Sequence, residues 1–188
     1  MRLKSELIEL RSLETKKFER LKSEIAGCTR EEWLVNTSRQ DFWEAHRKTE
    51  SIVLKIGKSY ALSQFTGCWQ RKWKRLIKET LIDQLEEIYG AGEITRLIIS
   101  KLLPNSEVGE HSDTETLLKY SHRVHLPITT NEQVVFKING QGHNLKEGVL
   151  YEISNLDPHS VINPSAQDRI HIIVDYADRE GVQALSSQ

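Results

Sequence analysis

The chain has 188 residues, of which 38% are apolar and 28% are charged, and its formal net charge is −1. This length fits one domain, and the apolar content is sufficient for a buried core, which argues against general disorder. The nearly balanced charge gives no electrostatic reason to expect a nucleic-acid backbone or an anionic membrane as a partner.

The sequence shows neither a targeting segment nor a membrane span. Met1–Glu6 carries charges and does not lead into the apolar run of a signal peptide, and no stretch approaches the roughly 20 apolar residues that span a bilayer. Cys28 and Cys68 lie far apart and form no CxxC pattern, which is typical of reduced thiols. We therefore expect a cytoplasmic protein.

The part of the chain over 1–92 is predicted to be mainly helical. Within 3–25, apolar side chains recur at steps of three and four residues, which predicts an amphipathic helix that ends near Gly27. We expect its apolar face to pack on the domain's own sheet. A coiled-coil homodimer through this helix is the alternative, although Glu14 and Lys17 interrupt the apolar row.

Two more elements are predicted before Gly92. The β-branched segment 51–56 predicts a strand, and the apolar spacing over 71–89 predicts a second helix, which Gly90 ends. The basic run Arg71–Arg75 at the start of this helix is interpreted as a solvated face rather than an RNA-binding surface.

Over 93–178 the pattern changes to short strands separated by turn residues, and 179–188 is predicted to be a frayed tail. The predicted strands are 94–103, 122–128, 133–138, 149–153, 159–162 and 169–176. Short strands at this spacing indicate antiparallel sheets in a sandwich or barrel. The predicted fold class is therefore α+β with a mainly β core.

The strand-rich half contains a candidate metal site. His111 and Asp113 form an His-x-Asp pair, and alternate side chains of an extended backbone project to the same side. His159 begins another short strand. Two imidazoles and one carboxylate occupy one face of an octahedral metal and leave three positions for a bidentate oxoacid and dioxygen. Arg169 begins the last predicted strand, where its guanidinium can bind a carboxylate through two parallel hydrogen bonds.

Five motifs accompany these residues: Glu-His-Ser-Asp at 110–113, Arg-Val-His-Leu-Pro-Ile at 123–128, Leu-Lys-Glu-Gly at 145–148, His-Ser-Val-Ile-Asn at 159–163 and Arg-Ile-His-Ile-Ile-Val-Asp at 169–175. With them, the segment 94–176 resembles the aspartyl/asparaginyl β-hydroxylase family of Fe(II)- and 2-oxoglutarate-dependent dioxygenases. The resemblance implies a double-stranded β-helix, also called a jelly roll and cupin-like, with the N-terminal helices packed on the sheet. It also implies one oxygenase domain over 1–188.

The resemblance assigns iron binding to His111, Asp113 and His159. The carboxylate ligand at Asp113 is found in bacterial members such as free-proline cis-4-hydroxylases and is absent from the animal peptidyl-aspartate enzyme. In this feature the chain is therefore similar to the bacterial members.

The resemblance also assigns residues to the cosubstrate and the substrate. Arg169 matches the arginine that binds the distal carboxylate of 2-oxoglutarate, and Ser100 matches a hydroxyl that assists it. Arg123 and His125 match an Arg-x-His strand motif that faces the oxoacid and the substrate carboxylate. Arg39 lies in a region similar to the substrate mouth of relatives, where it either binds a substrate carboxylate or has a surface role.

The other histidines of this half are expected to lie outside the site. His122 and His171 stand beside residues predicted to face inward, so we expect strand alternation to turn them the other way. His143 lies in a glycine-rich turn and is expected to be exposed. Asp175, Asn163 and Tyr151 are candidates for orienting the ligands, with a purely structural role as the simpler interpretation for each.

The predicted activity is the hydroxylation of a C–H bond of an amino acid, free or in a peptide. Fe(II), 2-oxoglutarate and dioxygen take part, and succinate and carbon dioxide are released. The alternative is a non-catalytic cupin-like protein that binds a metal or a carboxylate without turnover. Such a binder has no need of Arg169 beside an open three-ligand site, which favours the enzyme. We expect neither nucleic acid nor a membrane as a partner.

Overall fold

The computed structural model describes residues 6–42, 44–57 and 60–187. Within these ranges the chain forms eleven strands: β1 (Leu7–Ser12), β2 (Thr49–Ile56), β3 (Gln64–Phe65), β4 (Gly92–Leu102), β5 (Ser106–His111), β6 (His122–Thr129), β7 (Val135–Ile138), β8 (Gln141–His143), β9 (Val149–Ile153), β10 (His159–Asn163) and β11 (Arg169–Asp178). They form a seven-stranded sheet in the order β1-β9-β6-β11-β4-β2-β3 and a four-stranded sheet in the order β5-β10-β7-β8. The strand pairs are antiparallel.

The described part of the chain also forms seven α-helices. They are α1 (Thr15–Ala26), α2 (Arg30–Leu34), α3 (Ser38–Phe42), α4 (Lys74–Ile77), α5 (Asp83–Tyr89), α6 (Thr116–Lys119) and α7 (Arg179–Ser186), together with a 3-10 turn at Glu44–His46 and π-helical stretches at Trp69–Trp73 and Lys78–Ile82. Among the described residues, no helix combines the length and the apolar character needed to cross a membrane. The predicted double-stranded β-helix with a mainly β core is confirmed.

The side chains of β4 alternate between the apolar core on one face of the larger sheet and a cavity on its other face. Leu97 and Ile99 are fully buried in an apolar core that the sheet shares with α1 and the helical segment 69–89. Ile98 and Ser100, one residue out of phase, line a cavity between the two sheets. Because side chains of a strand alternate between faces, the same strand stabilises the helical layer and forms a wall of the cavity.

The predicted helix over 3–25 is wrong in its first half. Leu7–Ser12 forms β1, which pairs with β9 at the edge of the larger sheet, and α1 begins only at Thr15. The apolar spacing in Leu7–Ser12 is compatible with either element, and a distant strand supplies the backbone partners that decide it. The apolar face of α1 is buried in the chain's own core, so the face that a coiled-coil homodimer would use is already covered.

The second predicted helix is confirmed as a helical run from Trp69 to Tyr89, with two π-helical stretches inside it. Gly90 ends the run with a φ of 82°, a left-handed conformation that glycine adopts without strain. The predicted strand over 51–56 lies within β2.

Two further predictions need correction. The chain end predicted to fray forms α7, whose Leu185 is buried and whose first turn is capped by Asp178, which accepts a hydrogen bond of 2.8 Å from the Gly181 N–H. The turn at Asn139–Gly140, with φ values of 48° and 78°, connects β7 to the short strand β8, which the sequence did not predict. His143 ends β8 and is half-buried rather than exposed.

A buried ion cluster holds β6 to the helical layer. The Nδ1 of His122 lies 2.6 Å from a carboxylate oxygen of Glu152, and its Nε2 lies 3.6 Å from Asp178. The Tyr89 ring stacks on His122 at 3.9 Å, and the Tyr89 hydroxyl donates to Glu152. Burial alone would lower the pKa of His122, but the hydrogen bond and the negative charges of Glu152 and Asp178 raise it.

Substitution of His122 is expected to have a pH-dependent effect on stability. The folded pKa lies above the unfolded value of about 6.5, so the stabilisation is complete below that value and is lost as the pH rises through the folded pKa. His122→Asn is expected to lower the free energy of unfolding by about 1.5–3 kcal/mol at low pH, and by less in alkaline buffer. Urea unfolding of the wild type and the variant, below about pH 6.5 and in alkaline buffer, measures the two differences in the free energy of unfolding. His143→Asn is the control, and a loss for His122→Asn that is equal at both pH values would contradict the assignment.

Candidate active site

The two sheets enclose a cavity of about 250 Å³ that contains the predicted site residues of both sheets. On the smaller sheet, β5 and β10 pair so that His111 stands directly opposite His159. Asp113 follows the end of β5, where its backbone N–H donates a 2.9 Å hydrogen bond to the Asn155 carbonyl. Strand pairing therefore brings His159 beside His111 and Asp113, which precede it by 48 and 46 residues in the sequence.

The side chains of His111, Asp113 and His159 converge on one point. One ligand atom from each residue lies within 4.8 Å of the others. The Nε2 of His159 is 3.6 Å from a carboxylate oxygen of Asp113, and the two imidazole rings are 4.4 Å apart. One cation can therefore contact all three, as the sequence predicted.

Hydrogen bonds to backbone carbonyls determine which nitrogen of each imidazole carries the proton. The Nδ1 of His111 lies 2.8 Å from the Gly109 carbonyl, and the Nδ1 of His159 lies 2.9 Å from the Asp157 carbonyl. A carbonyl only accepts, so each Nδ1 carries the proton and each Nε2 keeps a free lone pair. Burial lowers the pKa of His159, which favours the neutral form that a metal requires.

The carboxylate of Asp113 is held by a chain of charges on the larger sheet. Arg123 donates to Asp113 through Nη1, and it donates through Nε and Nη2 to both oxygens of Asp175 at 2.8 and 2.9 Å. Asp175 is completely buried. Burial alone would raise the pKa of Asp113, but the charge of Arg123 and the smaller electrostatic effects of His159, His111 and Arg96 together lower it, so the carboxylate is ionised.

Arg169 forms the opposite end of the cavity. Its guanidinium is buried, it lies 5.9 Å from the Phe136 ring, and its Nη2 donates to the Nδ1 of His171 at 2.8 Å. Its Nε has no hydrogen-bond partner, and the described residues place no carboxylate against it. Burial lowers the pKa of Arg169 to about 9, so it still carries its charge at neutral pH. A buried cation without a counterion fits a site for an anionic ligand.

The predicted cosubstrate residues His125 and Ser100 lie at this same end. Both line the cavity and are buried. Ser100 stands opposite His171 in the pairing of β4 with β11, and the Nδ1 atoms of His125 and His171 are 3.4 Å apart. An anion bound to Arg169 would therefore have polar neighbours on three strands of the larger sheet.

Comparison with known protein families identifies the chain. The family model described as Aspartyl/Asparaginyl beta-hydroxylase matches residues 4–179, which is nearly the whole sequence. The chain belongs to this family. It is accordingly an Fe(II)- and 2-oxoglutarate-dependent oxygenase, and the non-catalytic cupin-like alternative is not favoured. No curated protein matches the sequence at a significant level.

Solved structures share the fold at low sequence identity. An oxidoreductase of the 2OG-Fe(II) oxygenase family from Burkholderia pseudomallei superposes with a TM-score of 0.65 at 13% identity, over 92% of this chain and 84% of the other. The viral collagen prolyl hydroxylase of Paramecium Bursaria Chlorella virus-1, solved with 2-oxoglutarate, gives 0.56 at 8% identity over 93% and 97%. A non-heme monooxygenase solved as a nickel complex gives 0.59 at 12% identity over 92% and 74%.

In this hydroxylase-family chain, the structure corrects the predicted position of His171 and adds Phe136 to the residues of the cavity. His171 was expected to face away from the cavity, yet it contacts Arg169. The two residues are two positions apart on β11, so alternation puts them on the same face, and that signal was present in the sequence. Phe136 was overlooked. Its ring stacks 6.2 Å from His159 and meets His125 edge-on at 5.5 Å, and only the register of β7 and β10 reveals this.

The substrate-binding predictions differ in outcome from the others. Arg123 lines the cavity, but its guanidinium already donates to Asp113 and Asp175, so its predicted contact with substrate stays a prediction. The side chain of Arg39 lies outside the described part of the structure.

Removal of the Asp175 charge is expected to weaken the metal site without touching a ligand. Asp175→Asn leaves Arg123 buried with an incomplete counterion, so Arg123 holds Asp113 differently. We expect iron affinity to fall by about 10–100-fold and the free energy of unfolding to fall by about 3–5 kcal/mol. Anaerobic iron titration and urea unfolding measure the two effects. Asp83→Asn removes a more exposed helical carboxylate and is the control. Unchanged iron affinity in Asp175→Asn would contradict the positioning role.

Proposed function

We propose that the chain hydroxylates a C–H bond of an amino acid, free or within a peptide, at an iron centre held by His111, Asp113 and His159. The observation that carries the proposal is the combination of three convergent ligand atoms with a buried, uncompensated Arg169 in the same cavity. Three ligands on one side of a metal leave room for a chelating oxoacid. The arginine supplies the counter-charge for its far end.

The chain's own residues hold and shield the reacting groups. When bound, iron(II) and 2-oxoglutarate supply the oxidation, in which the substrate gains one oxygen atom of dioxygen while 2-oxoglutarate becomes succinate and carbon dioxide. The Nε2 atoms of His111 and His159 bind the metal, because their Nδ1 protons are fixed on carbonyls. Arg123 keeps Asp113 ionised and in place. Arg169 binds the distal carboxylate, with Ser100 and His125 beside it.

Apolar side chains keep water from the centre of the cavity. Ile98 and Ile173 line its wall on the larger sheet, and Phe136 lies between the metal end and the Arg169 end. A site of low polarity strengthens the contacts of charged ligands with their partners and limits side reactions. The chain is proposed to work in the cytoplasm, a location that its two free cysteines support.

The experiment is a coupled measurement of cosubstrate and product. The protein is supplied with Fe(II), 2-oxoglutarate and dioxygen, with and without a panel of amino acids and short peptides. We expect succinate to form in proportion to 2-oxoglutarate lost, with a marked increase when a panel member is hydroxylated. Loss of 2-oxoglutarate without succinate, or no loss with any panel member, would contradict the proposal.

A further inference from the structure

A second ion pair stands in the cavity, away from the Arg169 end. Arg96 on β4 and Glu115 at the start of α6 both line the cavity, and Arg96 donates through Nη2 to the Glu115 carboxylate. The Arg96 side chain is 14% exposed, whereas that of Glu115 is 50% exposed. The Nε of Arg96 is buried without a hydrogen-bond partner. Arg96 therefore has unused hydrogen-bonding capacity inside the cavity.

Strand register places this pair on the far side of the metal ligands from Arg169. Arg96 pairs with Asp175 at one end of β11, while Arg169 pairs with Leu102 at the other end. Asp175 also binds Arg123, which contacts the ligand Asp113. Arg96 and Ser100 lie on the same strand about 13 Å apart along the backbone, at about 3.3 Å per residue. One small anion cannot reach both ends, so a molecule at Arg96 is distinct from one at Arg169.

Glu115 is the more easily displaced partner of Arg96. Asp175, the other nearby carboxylate, is fully buried, is bound through both oxygens by Arg123, and lies 3.7 Å from the Nε of Arg96. Glu115 is half-exposed, and its side chain makes no capping hydrogen bond to α6. An incoming carboxylate can therefore replace Glu115 on Arg96 without disturbing the network that holds Asp113.

We propose that the substrate is a free amino acid, whose carboxylate binds Arg96 and whose ammonium group binds the released Glu115. The proposal rests on the proposed hydroxylase function and selects a free amino acid over a peptide. The exchange turns one ion pair into two and leaves neither Arg96 nor Glu115 without a partner of opposite charge, which a buried site requires. A residue inside a peptide lacks both charges. The cavity of about 250 Å³ lies close to the lower end of the size range of small-molecule sites.

The test compares free amino acids with derivatives that lack one charge. Each standard amino acid is assayed for succinate formation beside its carboxamide and its N-acetyl derivative. We expect at least one free amino acid to be accepted, with kcat/KM on the order of 100-fold above both derivatives. In Arg96→Gln the ratio between the free acid and the carboxamide should collapse. In Glu115→Gln the ratio between the free acid and the N-acetyl derivative should collapse.

Ratios within one variant separate recognition from folding, because a partly unfolded enzyme loses activity toward both compounds equally. Lys74→Gln removes an exposed charge outside the cavity and should keep both ratios. Anaerobic calorimetry with Fe(II) and 2-oxoglutarate is performed first. A chain that binds no 2-oxoglutarate contradicts the proposed function and this inference together. A chain that binds it but accepts no free amino acid, accepts derivatives or peptides equally well, or keeps its ratios in the variants contradicts this inference alone.

Discussion

Succinate formation is expected to fall by about a thousandfold or more when His159 is replaced by alanine, because the metal loses one of three ligands and its position in the cavity. His159 is buried, and its Nε2 lies 3.6 Å from a carboxylate oxygen of Asp113. The change also removes the ring that stacks on Phe136, so some loss of stability accompanies the loss of activity. Iron content and succinate formation are measured on the same sample.

His143→Ala is the matched control. His143 lies on β8 at the edge of the same sheet, outside the cavity lining, so this variant should keep its iron and its activity. A His159→Ala protein that is folded by circular dichroism and still forms succinate at the wild-type rate would show that the metal is held elsewhere.

Replacement of Arg169 by methionine is expected to weaken the binding of 2-oxoglutarate and to raise the stability of the ligand-free protein. The Michaelis constant for 2-oxoglutarate should rise by about 100-fold or more, because the distal carboxylate loses a charged bidentate partner. Without cosubstrate, the variant should unfold at a higher temperature than the wild type. The wild-type guanidinium is buried with no carboxylate against it among the described residues, and removing an uncompensated buried charge is stabilising.

The stability gain should not depend on pH between mildly acidic and neutral conditions. The folded pKa of Arg169 is lowered to about 9, so the guanidinium is charged in both the folded and the unfolded chain below that value, and the full penalty is present there. When Fe(II) and 2-oxoglutarate are added, the wild type should unfold at the higher temperature of the two proteins, since the ligand stabilises only the wild type. Arg71→Met, at an exposed position, is the control. A less stable Arg169→Met protein that keeps its affinity for 2-oxoglutarate would overturn the assignment.

The three candidate metal ligands could be selected from the sequence because the chemistry limits the choice. Two histidines and an aspartate near strand boundaries have few alternative arrangements, and an arginine at the start of the last strand completes a recognisable pattern. The pairing of His111 with His159 could not be predicted, since it depends on the long-range register of β5 and β10. The sequence therefore indicated which residues belong to the candidate site, while their relative positions became clear only from the strand pairing.

The contacts by which Asp175 and Arg123 hold Asp113 were harder to predict from the sequence. Asp175 binds Arg123 because β6 and β11 are neighbours with these two residues in register, which no local pattern reveals. Arg96 did not enter the sequence prediction for the same reason, because its neighbours Asp175 and Glu115 come from distant segments. Local reasoning also mistook β1 for part of a helix, since its backbone partners lie on β9.

The most direct test is the anaerobic visible spectrum of the protein titrated with Fe(II) in the presence of 2-oxoglutarate. A charge-transfer band of the iron chelate should appear with one equivalent of iron in the wild type. It should be absent in His159→Ala, and it should require much more 2-oxoglutarate in Arg169→Met. Absence of the band in the wild type, or a band of full strength in His159→Ala, would contradict the assignment of the iron centre to His111, Asp113 and His159.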